Sequence, residues 1–396
     1  MRLLIILSVL ILFFGGGCQR NPTLLEQVLS DSNPKLQAVL QQKKVHEVQI
    51  LLTQINRDAQ GNPHFMESTF QLDENRYFYP ASTAKLPIAI LTLQKIKELN
   101  SQGILISKDS PFVITDIEGK VVISKDTTHS SQELTLGQQI KKIFLVSDND
   151  AYNYLFDFLG RDYINAQLTQ KGLLHTQIRH KFLLGADNVN TWEYTFFNSE
   201  QDSLYHQVSI QAKKALQSHK LKGVLKGKAY VGENGIVNRS MDFGEKNRIS
   251  LQDLTGILQR IIFPEVFPPQ QRFDLTPEDY EFLRYWMSRT PAESKNPVYD
   301  PKTYWDSYGK FLIYGDQKGK MGDAIRIYNK VGYAYGTLTD VAYIHDQEKD
   351  LEFFLTATLL VNNNQVFNDD VYEFETVGIP FLAELGRGVY RVLKKE

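Results

Sequence analysis

The chain has a single cysteine, Cys18, in 396 residues, which excludes a disulfide-stapled scaffold. Neither sign of charge is in surplus: 44 Lys and Arg stand against 46 Asp and Glu, a formal net charge of −2. The excess of positive charge that neutralises phosphates is missing, so no nucleic-acid partner is expected. Tryptophan is scarce at three residues, whereas Tyr at 20 and Phe at 23 are plentiful, a composition that suits β-sheet cores and binding grooves alike. No internal repeat is present, and no metal or cofactor is expected. Apolar residues make up 42% and charged residues 23%, an ordinary globular mixture that excludes wholesale disorder. At about 150 residues per domain, the length fits one large domain or two modest ones.

The one long apolar run, Leu3 to Phe14, has twelve residues, fewer than the roughly 20 that a membrane-spanning helix needs. It reads as the core of a signal peptide over residues 1–17. Gly15-Gly16-Gly17 then precede the only cysteine, a pattern that resembles the lipobox of bacterial lipoproteins. The resemblance implies that Cys18 carries a lipid and holds the protein on a membrane, in the cell envelope outside the cytoplasm. Residues 18–42 are then expected as tether plus first helix, with the tether from Gln19 to about Asn33.

Asn33-Pro34 is an N-cap followed by proline at the first helical position, and Leu36, Val39 and Leu40 follow at helical spacing. Val45 to Ile55 and Phe65 to Leu72 are β-rich around the turn residues Asp58 to Pro63, which predicts an antiparallel hairpin. Leu86, Ile90, Leu93 and Ile96 predict a helix from Ser82 to Leu99. Thr135 and Gln138 make a capping box ahead of a second helix, and Tyr152 to Leu159 continues as a third. Further helices are expected over Ser250 to Ile262 and Pro277 to Met287. Strands are then expected from Ala324, Asp340 and Leu351, and a last helix carries Ile379, Leu382, Leu385, Val389 and Leu393. Residues 184–247 are polar and weakly periodic, and read as an irregular insertion. The expected fold class is α/β (α+β): an antiparallel sheet built from both chain termini, with an all-helical lobe between them.

Three short motifs carry chemistry. Ser82-Thr83-Ala84-Lys85 puts a hydroxyl and an amine on one helix face, so that a lysine shielded from water can take the serine proton. The pattern also occurs at Ser32 to Lys35 and Ser307 to Lys310, and alone it reads as a helix cap with a surface lysine. Ser147-Asp148-Asn149 sits in the break between two predicted helices, where short polar residues also act as caps. Lys330-Val331-Gly332 lies on a strand, whereas the rival Lys320-Met321-Gly322 lies in a turn.

Taken in order, Ser-x-x-Lys, Ser-Asp-Asn and Lys-x-Gly resemble the motif set of class A β-lactamases and penicillin-binding proteins. Phe78 to Pro87, Leu283 to Met287 and Val341 to Ile344 extend the resemblance across a catalytic domain over residues 43–395. It implies that Ser82 is the acyl-forming nucleophile, Lys85 its proton acceptor and Ser147 a proton relay to the leaving nitrogen. Asn149, Lys330, Gly332 and Tyr333 would bind substrate, with the N–H groups of Ser82 and Tyr333 as the oxyanion hole. The implied substrate is a small-molecule β-lactam or a peptidoglycan-like peptide ending in a D-alanyl-type amide. The alternative is a binding or sensor module that does not turn over.

The sequence departs from the pattern at three places. Val331 stands where that family has Thr or Ser. Tyr333 replaces a small residue at the mouth of the site. Phe182 falls where class A enzymes place the glutamate that activates the deacylating water, and the nearest acids are Asp187 and Glu193.

Overall fold

A computed structural model describes residues 21–395. The predicted signal peptide and Cys18 lie outside the described residues. A five-stranded antiparallel sheet runs in the order Ile325–Ala334, Thr337–Asp346, Leu351–Leu360, Gln49–Arg57, Pro63–Phe70. The N-terminal hairpin therefore docks on the C-terminal strands, with Leu52 opposite Leu355 and Leu51 opposite Thr356.

Alternation of side chains along these strands divides the core in two. Val341, Tyr343 and Phe354 face the helical lobe, whereas Ala342, Ile344 and Phe353 face the helices built from the chain ends. The first face receives Leu251–Ile262, and the lobe is organised around Lys85–Ser101, which packs on Leu136–Val146 and Asn149–Leu159. Lys85–Ser101 is buried on nearly every side, with Ile88, Ala89 and Leu91 as inaccessible as Leu86, Ile90 and Leu93. The amphipathic spacing understated this: a helix apolar all round is a central helix.

The predicted elements are present with shifts of a few residues at their ends, and three readings need correction. Part of the expected tether is a helix: Leu24–Leu29 is closed by a Thr23/Glu26 capping box and buries Leu24, Leu25 and Val28 against Ile379–Leu393. Burial worth about 1.5–3 kcal/mol per large apolar side chain holds a helix too short to form alone. The capping box at Thr135 is only half made. Thr135 Oγ1 accepts from the Gln138 N–H at 3.2 Å, but the Gln138 side chain turns to the Thr128 carbonyl.

The third correction concerns residues 184–247, which are ordered. Glu193–Phe197 and Ser203–Gln207 join Phe112–Thr115 and Val121–Ile123 in a four-stranded sheet. Ala229–Gly232 pairs with Gly235–Val237 and runs parallel to Val366–Phe367. Strands of two to five residues are too short to print a two-residue period on the sequence.

Candidate active site

The polypeptide reaches Ser82 through a strained turn. Ala81 has φ +46°, a left-handed conformation that costs a non-glycine residue about 1–3 kcal/mol. It opens the 3₁₀ turn Ala81–Ala84 that leads into Lys85–Ser101. The Thr83 hydroxyl donates to the Pro80 carbonyl at 2.6 Å and fixes the turn. Ser82 faces a cavity of about 280 Å³ that is also lined by Phe144, Ser147, Asn149, Tyr308, Lys330 and Tyr333.

Ser147 and Asn149 enter from the break between Leu136–Val146 and Asn149–Leu159. Asp148 is the cap of the second helix, accepting from the Ala151 N–H at 2.8 Å. The capping interpretation of the tripeptide is thus correct for its middle residue only. Ser147 ends the first helix at φ +59°, which turns its hydroxyl toward two lysines.

Lys85 is fully buried. Its ammonium donates to the Ser147 carbonyl, to Asn149 Oδ1 at 2.7 Å and to Ser147 Oγ at 3.3 Å; among the described residues none of its bonds goes to Ser82 Oγ. Lys330, also buried, donates to the same Ser147 Oγ at 2.8 Å and to the Val331 carbonyl at 2.8 Å. One hydroxyl therefore bridges two amines. Burial lowers the Lys85 pKa to about 7, against a pull the other way from Asp148 and Asp150. Burial, and then the charge of Lys85, push Lys330 well below the ordinary lysine value. No carboxylate ion-pairs with either amine among the described residues.

Gly332 brings the edge strand Ile325–Ala334 onto the serine turn. A Cβ there would stand 2.6 Å from the Pro80 carbonyl oxygen, 2.7 Å from the Thr83 nitrogen and 2.9 Å from the Ser82 nitrogen. Only glycine allows the two backbones to approach this closely. Tyr333 follows, packed on Phe311 and Phe374. It separates the serine cavity from a second groove of about 700 Å³ walled by Tyr79, Phe182, Lys246, Tyr335 and Tyr372. Phe243, from the segment read as irregular, packs against Tyr79 and Tyr335 and so supports that groove.

Phe182 lies over Lys85, with the ammonium 5.2 Å from the ring centroid. Its N–H donates to Asn153 Oδ1 at 2.8 Å, and its ring packs on Tyr152. The two nearby acids are engaged elsewhere. Asp187 accepts from the N–H groups of Val189 and Asn190 in its own turn. Glu193 faces His206 at 3.6 Å and the Ser209 N–H.

Beneath the edge strand lies a polar cluster that the motifs did not reveal. Lys310 donates to the carbonyls of Met287 and Ile327 and to Asn329 Oδ1, at 2.6, 2.8 and 2.8 Å. Asn329 Nδ2 donates to Asp340 Oδ1 at 2.8 Å. Burial pushes Asp340 up to about 6 and Lys310 down to about 7. Lys310 is the lysine of a spare Ser-x-x-Lys match whose serine, Ser307, turns away to the Gln317 carbonyl. The other match is at the surface, where Lys35 pairs with Asp316 at 2.9 Å.

The profile of the beta-lactamase enzyme family matches residues 32–370. Among solved structures, that of PBP-A is similar at a TM-score of 0.51 and 15% identity, covering 94% of this chain and 96% of that one. A β-lactamase from Sphaerobacter thermophilus is similar at a TM-score of 0.48 and 14% identity, covering 92% and 98%. Among curated proteins nothing matches.

Proposed function

This chain belongs to the beta-lactamase enzyme family, and from that premise we propose that it is an active-site-serine hydrolase that forms an acyl-enzyme through Ser82. One observation carries the reading: Lys85 and Lys330 converge on Ser147 Oγ within the cavity that Ser82 faces. Lys85, with a midpoint near 7, is neutral in a substantial fraction at neutral pH and suited to general-base work.

Ser82 Oγ attacks the carbonyl carbon of a β-lactam or D-alanyl-type amide, and its proton passes to Lys85 Nζ. The N–H groups of Ser82 and Tyr333 stabilise the oxyanion. The carbon–nitrogen bond breaks as Ser147 gives its proton to the leaving nitrogen and regains one from Lys85. Lys330 draws the substrate carboxylate by its charge when protonated, and Asn149 offers its amide N–H group. Water then has to release the acyl group. Phe182 supplies no basic lone pair beside Lys85, so deacylation is slow and acyl-enzyme accumulates. Family membership favours a hydrolase over a module that only binds or senses.

The N-terminal run and Cys18 support a lipid anchor that places the domain in the cell envelope. Cys18→Ser is expected to free the protein from the membrane fraction, and unchanged attachment overturns the anchor. For the reaction, intact mass and peptide mapping after exposure to benzylpenicillin are expected to show one adduct on the Ser82 peptide. An adduct at Ser32 or Ser307, or none, overturns the assignment.

A further inference from the structure

Lys310 is a buried amine that the acyl-transfer steps leave unused. Its N–H groups go to three neutral oxygens: the carbonyls of Met287 and Ile327, and Asn329 Oδ1. An ammonium has three donors and no acceptor, so this set is complete. Met287 lies in the last turn of Pro277–Ser288, where carbonyls have no partner within the helix. Ile327 and Asn329 lie on Ile325–Ala334, the outermost strand of the main sheet, which has a strand neighbour on one side only. Lys310 therefore ties a strand with a free edge to a helix of the lobe.

A second set of bonds completes the attachment. Asn329 Nδ2 donates to the Gly309 carbonyl and to Asp340 Oδ1, both at 2.8 Å, and Asp340 Oδ2 accepts from the Leu312 N–H at 3.1 Å. Asp340 stands on the neighbouring strand, opposite Val331. Successive side chains of a strand point to opposite faces, so fixing Asn329 sends the next residue toward the helical lobe. There Lys330 reaches Ser147 Oγ at 2.8 Å. Two residues further Gly332 closes on the serine turn, and the Tyr333 N–H follows. Gly309 and Lys330 both line the serine cavity, so the cluster joins two of its walls.

We infer that Lys310 is a positioning residue for acyl transfer: its ammonium fixes the outer strand so that Lys330 and the Tyr333 N–H stand where Ser82 and Ser147 act, and it touches no substrate itself. The inference rests on the acyl-enzyme reading. A misplacement of about 1 Å at the reacting groups costs about 100-fold in rate.

The test follows, by intact mass, acylation of the wild type and Lys310→Met by benzylpenicillin over a range of concentrations, and labelling of both by a fluorophosphonate. Methionine keeps the apolar stem and removes all three bonds. Lys95→Met is the control, because Lys95 is also buried and donates to the Phe158 carbonyl and Gln207 Oε1, neither of which lines the serine cavity. Urea unfolding sets the folded fraction of each protein. Lys310→Met is expected to lower the limiting rate of acylation about 100-fold, with little change in the saturation constant, whereas Lys95→Met is expected to lower stability and leave that rate unchanged. A wild-type limiting rate in Lys310→Met overturns the inference, as does an equal loss in both variants, which marks a role in the fold alone. If Lys310→Met does not fold, Asn329→Ala is expected to show the same fall, and a wild-type rate there overturns the inference. If neither reagent modifies Ser82 in the wild type, the acyl-enzyme reading fails and this inference with it. A fluorophosphonate adduct without a penicillin adduct sinks only the β-lactam substrate, and the fluorophosphonate rates then decide the role of Lys310.

Discussion

Two buried lysines, Lys181 and Lys85, are met in opposite ways, the first by Asp157 and the second by Phe182. Lys181 meets a carboxylate: its ammonium lies 2.8 and 3.0 Å from the oxygens of Asp157, with both side chains almost wholly buried. Lys85 meets a phenyl ring, the amide oxygen of Asn149 and the atoms of Ser147. Burial is common to both, and the partner differs. An ion pair repays part of the cost of burying charge, whereas an amine offered only neutral acceptors gives up its proton more readily. Burial pushes Asp157 up to about 6, with Lys181 opposing the rise; burial brings Lys85 down to about 7. The first pair fastens residues 180–182 to the Asn149–Leu159 helix, and the second amine is left available for proton transfer.

The sharpest break in that comparison is removal of the groups that Lys85 serves. Ser82→Ala is expected to abolish penicillin labelling, and Lys85→Met to slow acylation by about 10²–10⁴-fold, the usual worth of general-base help. Time-resolved mass spectrometry checks both, and persistent labelling of Ser82→Ala refutes the assignment of the nucleophile. Giving Lys85 the carboxylate it lacks is the converse experiment. Phe182→Glu is expected to speed deacylation by up to about 10²–10⁴-fold, seen as loss of accumulated acyl-enzyme and as steady turnover of a chromogenic cephalosporin. It is also expected to move the acylation pH profile to higher pH, because a nearby negative charge favours protonated lysine. An unchanged acyl-enzyme lifetime means that the block lies elsewhere than at Phe182.

Taking the carboxylate from the other lysine should act on stability instead of chemistry. Asp157→Asn leaves Lys181 buried without its counter-charge and is expected to cost about 3–5 kcal/mol, measured by urea unfolding. A loss below about 1 kcal/mol argues that the pair contributes little. The smallest effect is the pH dependence of the unmodified protein. Lys85 accepts a proton only when neutral, so with a midpoint near 7 acylation should fall about tenfold per unit well below that midpoint and level off above it. A profile flat between pH 5 and about 9 excludes Lys85 as the titrating base.

The residues that touch Ser147 were legible because each sits in a short motif tied to a helix start, a helix break or a strand. Phe182 was legible as a departure from that pattern. Lys310, Asn329 and Asp340 were not, since tertiary packing alone assembles residues from a loop and two strands. A trace did exist: Asp340 stands directly before the apolar run Val341 to Ile344, and a charge at such a position needs a partner. The sheet and the central helix followed from long periodic runs. The Leu24–Leu29 helix and the short strands of 184–247 were hidden because a few residues do not complete enough periods.

The order of strands in the main sheet also sets when the serine cavity is completed. Gln49–Arg57 emerges early from the ribosome, yet one of its two neighbours in the sheet is Leu351–Leu360, so the sheet stays unfinished until about 300 further residues have been made. Ser82 waits in the same way for Ile325–Ala334, whose Gly332 closes on the serine turn. Contacts between such distant segments form late and slowly. A nascent chain thus carries Ser82 without the strand that completes its cavity, and synthesis itself leaves the proposed nucleophile unsupported until residues 325–360 have been delivered.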